Sequence, residues 1–186
     1  MTTPPIPGEP MRARLRAATE NSHAALDAKL EPLFDRGAKG YSEFLRISAR
    51  GVLPLERALE EAGVGMILPD WALRSRASAL RKDMAELGIP APPSEDVRLP
   101  SDEAYLFGIL YVLEGSRLGA KLLTQRVDVS GDERMRAASR YLRHGEGVDL
   151  WQTFLERLEA NRSVRAAPDR AIKGALAAFA AFDPLL

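Results

Sequence analysis

Beyond its first ten residues, nearly every stretch of this chain sets apolar side chains at i, i+3 and i+4, the spacing of a helix that buries one face. No segment shows the strict alternation of a half-buried strand, so an all-α globule is expected. Its 186 residues suit one domain. The opening MTTPPIPGEP carries four prolines and no apolar core of a signal peptide, so residues 1–9 read as a flexible lead-in and 10–186 as the helical domain. The longest strongly apolar run, 104–113, falls well short of the ~18 to 20 residues that cross a bilayer, which predicts a cytoplasmic protein without membrane contact. Equal numbers of acidic and basic groups, 26 of each, supply no global field for nucleic acid. With no cysteine, thiolate nucleophiles, Fe–S clusters and cysteine-type zinc sites are excluded, and only His23 and His144 remain for imidazole chemistry.

Start and stop signals place a first helix over 10–30 with proline in its first turn. A second follows over 42–62, opened by Ser42 and weakened at Gly51 and Pro54. A third spans 70–87 and stops at Gly88 before a proline-rich loop. The longest runs over 101–127 from the capping pattern Ser101-Asp102-Glu103, and shorter helices are expected over 132–143, 148–161 and 168–181. Ligand sites in such a bundle lie between facing helices.

His23 falls on the apolar arc of the first helix, about 80° from Leu15, with Thr19 and Leu30 nearby. It reads either as a packed histidine bonded to a carbonyl or as an iron ligand whose second ring N–H is held by Asp27 or Glu20. Arg12 and Arg16 form a basic ladder on the same side, or simply part of a solvated arginine face. In the long helix, Gly108, Gly115 and Gly119 each cost roughly 1 kcal/mol relative to alanine and share one stripe. That stripe admits either a close helix crossing or a planar ligand lying against a bent backbone. His144, just before Gly145, reads as a helix-end group, and Trp71 and Trp151 as packing anchors.

LRAATENSHAALDAKL (15–30) and GILYVLEGSRLGAKLL (108–123) resemble the proximal-helix and distal-helix patterns of the heme oxygenase family, in particular its bacterial biliverdin-producing, bacteriophytochrome-associated branch. The resemblance implies a single-domain bundle with heme between the first helix and a kinked glycine-bearing helix. His23 would be the iron ligand, Thr19 would lie one turn above it, Asp27 would take the place of a supporting carboxylate, and Arg16 would face a heme propionate. Gly115, Ser116 and Gly119 would line the oxygen side, with Ser116 holding water for proton delivery. A further basic propionate contact would come from Arg157 or Arg162. Two positions depart from the family pattern: Ser116 stands where animal enzymes carry aspartate, and Ala120 replaces a glycine.

The implied reaction converts heme, both cofactor and substrate, to biliverdin, ferrous iron and carbon monoxide with dioxygen. Because no G-x-G-x-x-G fingerprint is present, electrons are expected from an external donor such as ferredoxin or a reductase, and a bacteriophytochrome is a candidate receiver of the product. The alternative is a non-catalytic heme-binding protein for storage, delivery or sensing on the same fold. A third possibility is an interaction module without a cofactor.

Overall fold

A computed structural model describes residues 9–93 and 96–182, and every regular element among them is helical. The expected lead-in therefore lies, apart from Glu9, outside the described residues. The chain runs through α1 (Met11–Leu30), a 3-10 turn (Glu31–Arg36), α2 (Gly37–Glu61), the short α3 (Val64–Ile67) and α4 (Trp71–Arg74), and α5 (Ala77–Glu86). It continues with α6 (Glu103–Val129), α7 (Glu133–Ala137), α8 (Leu150–Ala160), α9 (Arg162–Ala166) and α10 (Pro168–Phe182). No described helix is long and apolar enough to cross a membrane.

Three expected boundaries differ from the structure. The second helix begins at Gly37 and not at Ser42; Gly37, at φ 59°, turns the 3-10 segment directly into α2, and the Ser42 hydroxyl back-bonds to the Ala38 carbonyl inside the helix. The expected third helix is two pieces. Glu56 of α2, 2% exposed, accepts the backbone N–H of Arg76 and Ala77 and the Ser75 hydroxyl, and this buried carboxylate stands where a continuing helix would need its own carbonyls. The helix expected over 132–143 stops at Ala137, after which the chain follows turns through Gly145 and Gly147, both with positive φ. In the middle of α2, Gly51 makes room for Phe182, whose ring would lie about 2.5 Å from an added Cβ.

The central contact is between α6 and α10. A Cβ on Gly108 would lie 1.9 Å from the Ala171 carbonyl oxygen, and one on Gly174 would lie 2.0 Å from that of Tyr105, so the two backbones touch. Asp102 fixes this crossing from the start of α6. It accepts the Tyr105 N–H at 3.0 Å and the Arg170 Nε–H at 2.6 Å, and those two bonds hold its carboxyl below the usual range. α1 packs on the same α10, whereas α1 and α6 barely touch each other.

The crossing predicts opposite outcomes for two glycines of one helix. Gly108→Ala drives a methyl into backbone and lowers unfolding free energy by about 2 to 3 kcal/mol in urea titration. Gly119→Ala, with nothing within 4 Å of the added carbon, leaves it unchanged or gains up to about 1 kcal/mol.

Candidate functional site

From Ala104 to Glu114, α6 is buried on almost every side; from Gly115 onward one face is open. Gly115 meets only the edge of the Trp151 ring at 3.6 Å, Gly119 meets nothing within 4 Å, and Leu118 and Leu122 on the same side are 49% and 62% exposed. The two readings of the glycine stripe therefore divide along the helix. Gly108 serves a helix crossing, while Gly115 and Gly119 present bare backbone to an open slot.

α1 forms the facing wall. Leu122 and Arg126 of α6 share a cleft with Ala28, Glu31 and Asp35, and Arg126 clips that end shut by donating to the Glu31 carbonyl at 3.0 Å and to Asp35. At the other end Arg12 lies over the Trp151 ring, and Arg12 and Arg16 partly offset the burial that pushes the Tyr111 hydroxyl upward. His23 on α1, and Gly115, Leu118 and Gly119 on α6, fall between these two ends. The slot is polar and cationic at the Arg16–Tyr111 end and apolar through its middle.

His23 is not a packed core histidine, since its side chain is 64% exposed. Of the two carboxylates in reach along the helix, Asp27 takes its Nδ1, at 2.9 Å, so that in the neutral ring Nε2 is the nitrogen left to accept. The edge of Phe179 from α10, with centroids 6.0 Å apart, supports the ring from below. Thr19 is buried and its hydroxyl donates to the Leu15 carbonyl, so it braces α1 one turn before His23. Ala120 is buried while Gly119 beside it is exposed, so the alanine that departs from the family pattern points away from open solvent. Arg157 is engaged by Asp70 at 2.9 Å, and Arg162 is exposed on α9.

Behind the open face of α6 lies a buried charge network that the sequence did not announce. Arg74, with a fully buried side chain, donates to Glu114 at 2.7 Å and to Asp70 at 2.8 Å, and Arg117 donates to both Glu114 oxygens at 3.0 and 3.1 Å. Hydrogen bonding to Arg74 holds the Asp70 carboxyl below its usual range. His144 belongs here and not at a helix end: Arg117 approaches its Nδ1 at 3.2 Å, and burial, followed by the Arg117 and Arg76 charges, pushes its pKa down. Tyr111 also escaped notice, although its position one turn before Gly115 puts it on the slot face.

The bundle thus carries an exposed imidazole on α1, an exposed glycine stretch on α6, and Arg12 and Arg16 within electrostatic reach of Tyr111. No family profile matches the chain. It is 32% identical to the heme oxygenase of Xanthomonas campestris over 80% of its own length and 90% of that protein's, and 30% identical to the heme oxygenase PigA of Pseudomonas aeruginosa over 93% and 89%. The fold superposes on heme oxygenase from Neisseria meningitidis, solved in NO- and CO-bound forms, with a TM-score of 0.76, 25% identity and coverage of 94% and 89%. The chain belongs to the heme oxygenase family.

The depressed pKa of His144 sets a sign for acid behaviour. The unfolded chain binds the proton first as pH falls below about 6.5, so stability declines from there and levels off below the folded-state pKa. His144→Gln, which keeps an acceptor for Arg117, flattens that part of a urea-midpoint curve measured between pH 7 and 5.

Proposed function

We infer that this family member is a working heme oxygenase. Heme is its substrate, bound in the slot between α1 and α6 and opened with dioxygen and external electrons to biliverdin, ferrous iron and carbon monoxide. The observation that carries this assignment is the exposed His23, its Nδ1 held by Asp27 and its Nε2 free, on a wall facing Gly115 and Gly119.

His23 Nε2 is the iron ligand, and the Asp27 bond fixes which nitrogen is offered. A single imidazole pushes less electron density onto iron than a thiolate does, which suits attack on the macrocycle's own edge. Gly115 and Gly119, without side chains, would let α6 approach the opposite ring face, so the helix would steer oxygen by contact. Arg16 and Arg12, with the Tyr111 hydroxyl, would receive the propionates, and the exposed Leu118 and Leu122 would offer apolar contact to the macrocycle. Electrons come from a separate donor, a ferredoxin or a reductase, and the product passes to a bacteriophytochrome in the cytoplasm. That last assignment rests on the resemblance of the two helix motifs to the bacteriophytochrome-associated branch.

Hemin titration followed by turnover with ascorbate or ferredoxin, and chromatography of the pigment, tests the assignment. The expected product is biliverdin; a stable hemin complex without pigment identifies a binding protein instead. His23→Ala abolishes the histidine-ligated spectrum and turnover, whereas a native spectrum in that variant would overturn the placement of the iron.

A further inference from the structure

Ser116 faces the open side of α6, yet its hydroxyl is already spoken for in a way that chemistry makes unambiguous. Its oxygen lies 2.8 Å from Arg76 Nη2 and 2.7 Å from the Leu113 carbonyl oxygen. Arginine has no acceptor and a carbonyl has no donor, so Ser116 must accept from Arg76 and give its own hydrogen to Leu113. One lone pair is left for the slot. Arg76 itself is fixed from three directions. It is 2% exposed, its Nη2 also donates to the Leu113 carbonyl at 2.8 Å, and its guanidinium stacks over Tyr141 at 5.0 Å. Both oxygens of the buried Glu56 hold its backbone N–H, at 2.8 and 2.9 Å, at the break between α4 and α5. Its charge is felt at Arg117 of α6 and at His144 of the turn region, while the Glu56 carboxylate sits on its backbone N–H.

We propose that Arg76 is a positioning residue for the oxygen side of the heme site: it locks Ser116 as a hydrogen-bond acceptor and adds a fixed positive charge behind it. This proposal rests on the placement of heme between His23 and the glycine wall. A water bound to Ser116 must donate one hydrogen to the serine, which turns its second hydrogen outward, toward the oxygen that reacts. Ser116 thus orients a proton donor and does not donate. The buried guanidinium, unable to lose its proton, polarises that serine–water pair at no reorganisation cost. Where the animal enzymes place a carboxylate, this chain offers a neutral acceptor, the serine oxygen, backed by a buried arginine 40 residues away.

The hemin complex of the full chain tests this with Arg76→Gln, Arg76→Lys and Ser116→Ala. Arg76→Gln is expected to lower turnover about tenfold while hemin affinity stays within about twofold. The infrared C–O stretch of its carbon monoxide complex moves to higher wavenumber, because a positive field on that side weakens the bond. Arg76→Lys, which keeps the charge, holds the stretch near the wild-type value. Ser116→Ala gives a similar loss of turnover, and Arg76→Gln adds little to it in the double variant. Wild-type turnover and stretch in Arg76→Gln, or full additivity with Ser116→Ala, would overturn the proposal. If Arg76→Gln does not fold, wild-type turnover in Ser116→Ala overturns it alone. His23→Ala run alongside separates the two levels: a surviving histidine-ligated spectrum sinks the heme placement, whereas its loss beside a neutral Arg76→Gln sinks only the role of Arg76.

Discussion

The backbone contact between α6 and α10 organises this molecule. Gly108 and Gly174 let the two helices meet with no side chain between them, and the Asp102–Arg170 pair fixes where along α6 that contact falls. Because α1 packs on the same α10 without closing onto α6, α10 becomes the floor of a slot whose walls are α1 and the later part of α6. The abrupt change at Gly115, from a helix buried all round to one with an open face, follows from that geometry. His23 then needs only to stand on the other wall, with Phe179 of the floor beneath its ring.

The oxygen side depends on a second constraint, the buried charges behind α6. Arginines 74 and 117 bond one buried carboxylate, Glu114, with Asp70 at the edge, and Arg76 joins the same turn of α6 through the Leu113 carbonyl and Ser116. Such groups stay ionised inside a protein only when nearly every donor finds a partner, so their geometry is tightly specified and loss of one member costs about 3 to 5 kcal/mol. The network grips α6 at Leu113, Glu114, Ser116 and Arg117, the turn on either side of Gly115. Helix propensity is weakest where glycine stands, and there the chain supplies side-chain bonds from α4 and from the segment after it. A flexible segment of α6 is in this way held in one shape.

Much of this was legible from the sequence because it is written in local spacing. α1, α6 and α10 begin and end within two residues of where periodicity, Pro10, the Asp102 cap and Pro168 place them. His23 with Asp27 one turn on, and the glycines at 108, 115 and 119, are likewise single-helix patterns. What escaped is carried by pairs distant in the chain. Glu56 breaks the helix expected over 70–87 from 20 residues away, and Arg76 reaches Ser116 from 40. Nothing in an arginine-rich sequence distinguishes a buried guanidinium from a solvated one, so Arg74 and Arg117 carried no signal. His144 was misread for the same reason: its neighbour in sequence is Gly145, but its partner in space is Arg117.

The central claim is that heme lies between His23 and the open face of α6. A crystal structure of the hemin complex measures this directly. The expected complex has iron bonded to His23 Nε2 with Nδ1 still on Asp27, the Gly115–Gly119 backbone against the opposite ring face, and the propionates at Arg16, Arg12 and Tyr111. Iron bonded to any other residue, or a macrocycle outside the α1–α6 slot, would contradict it.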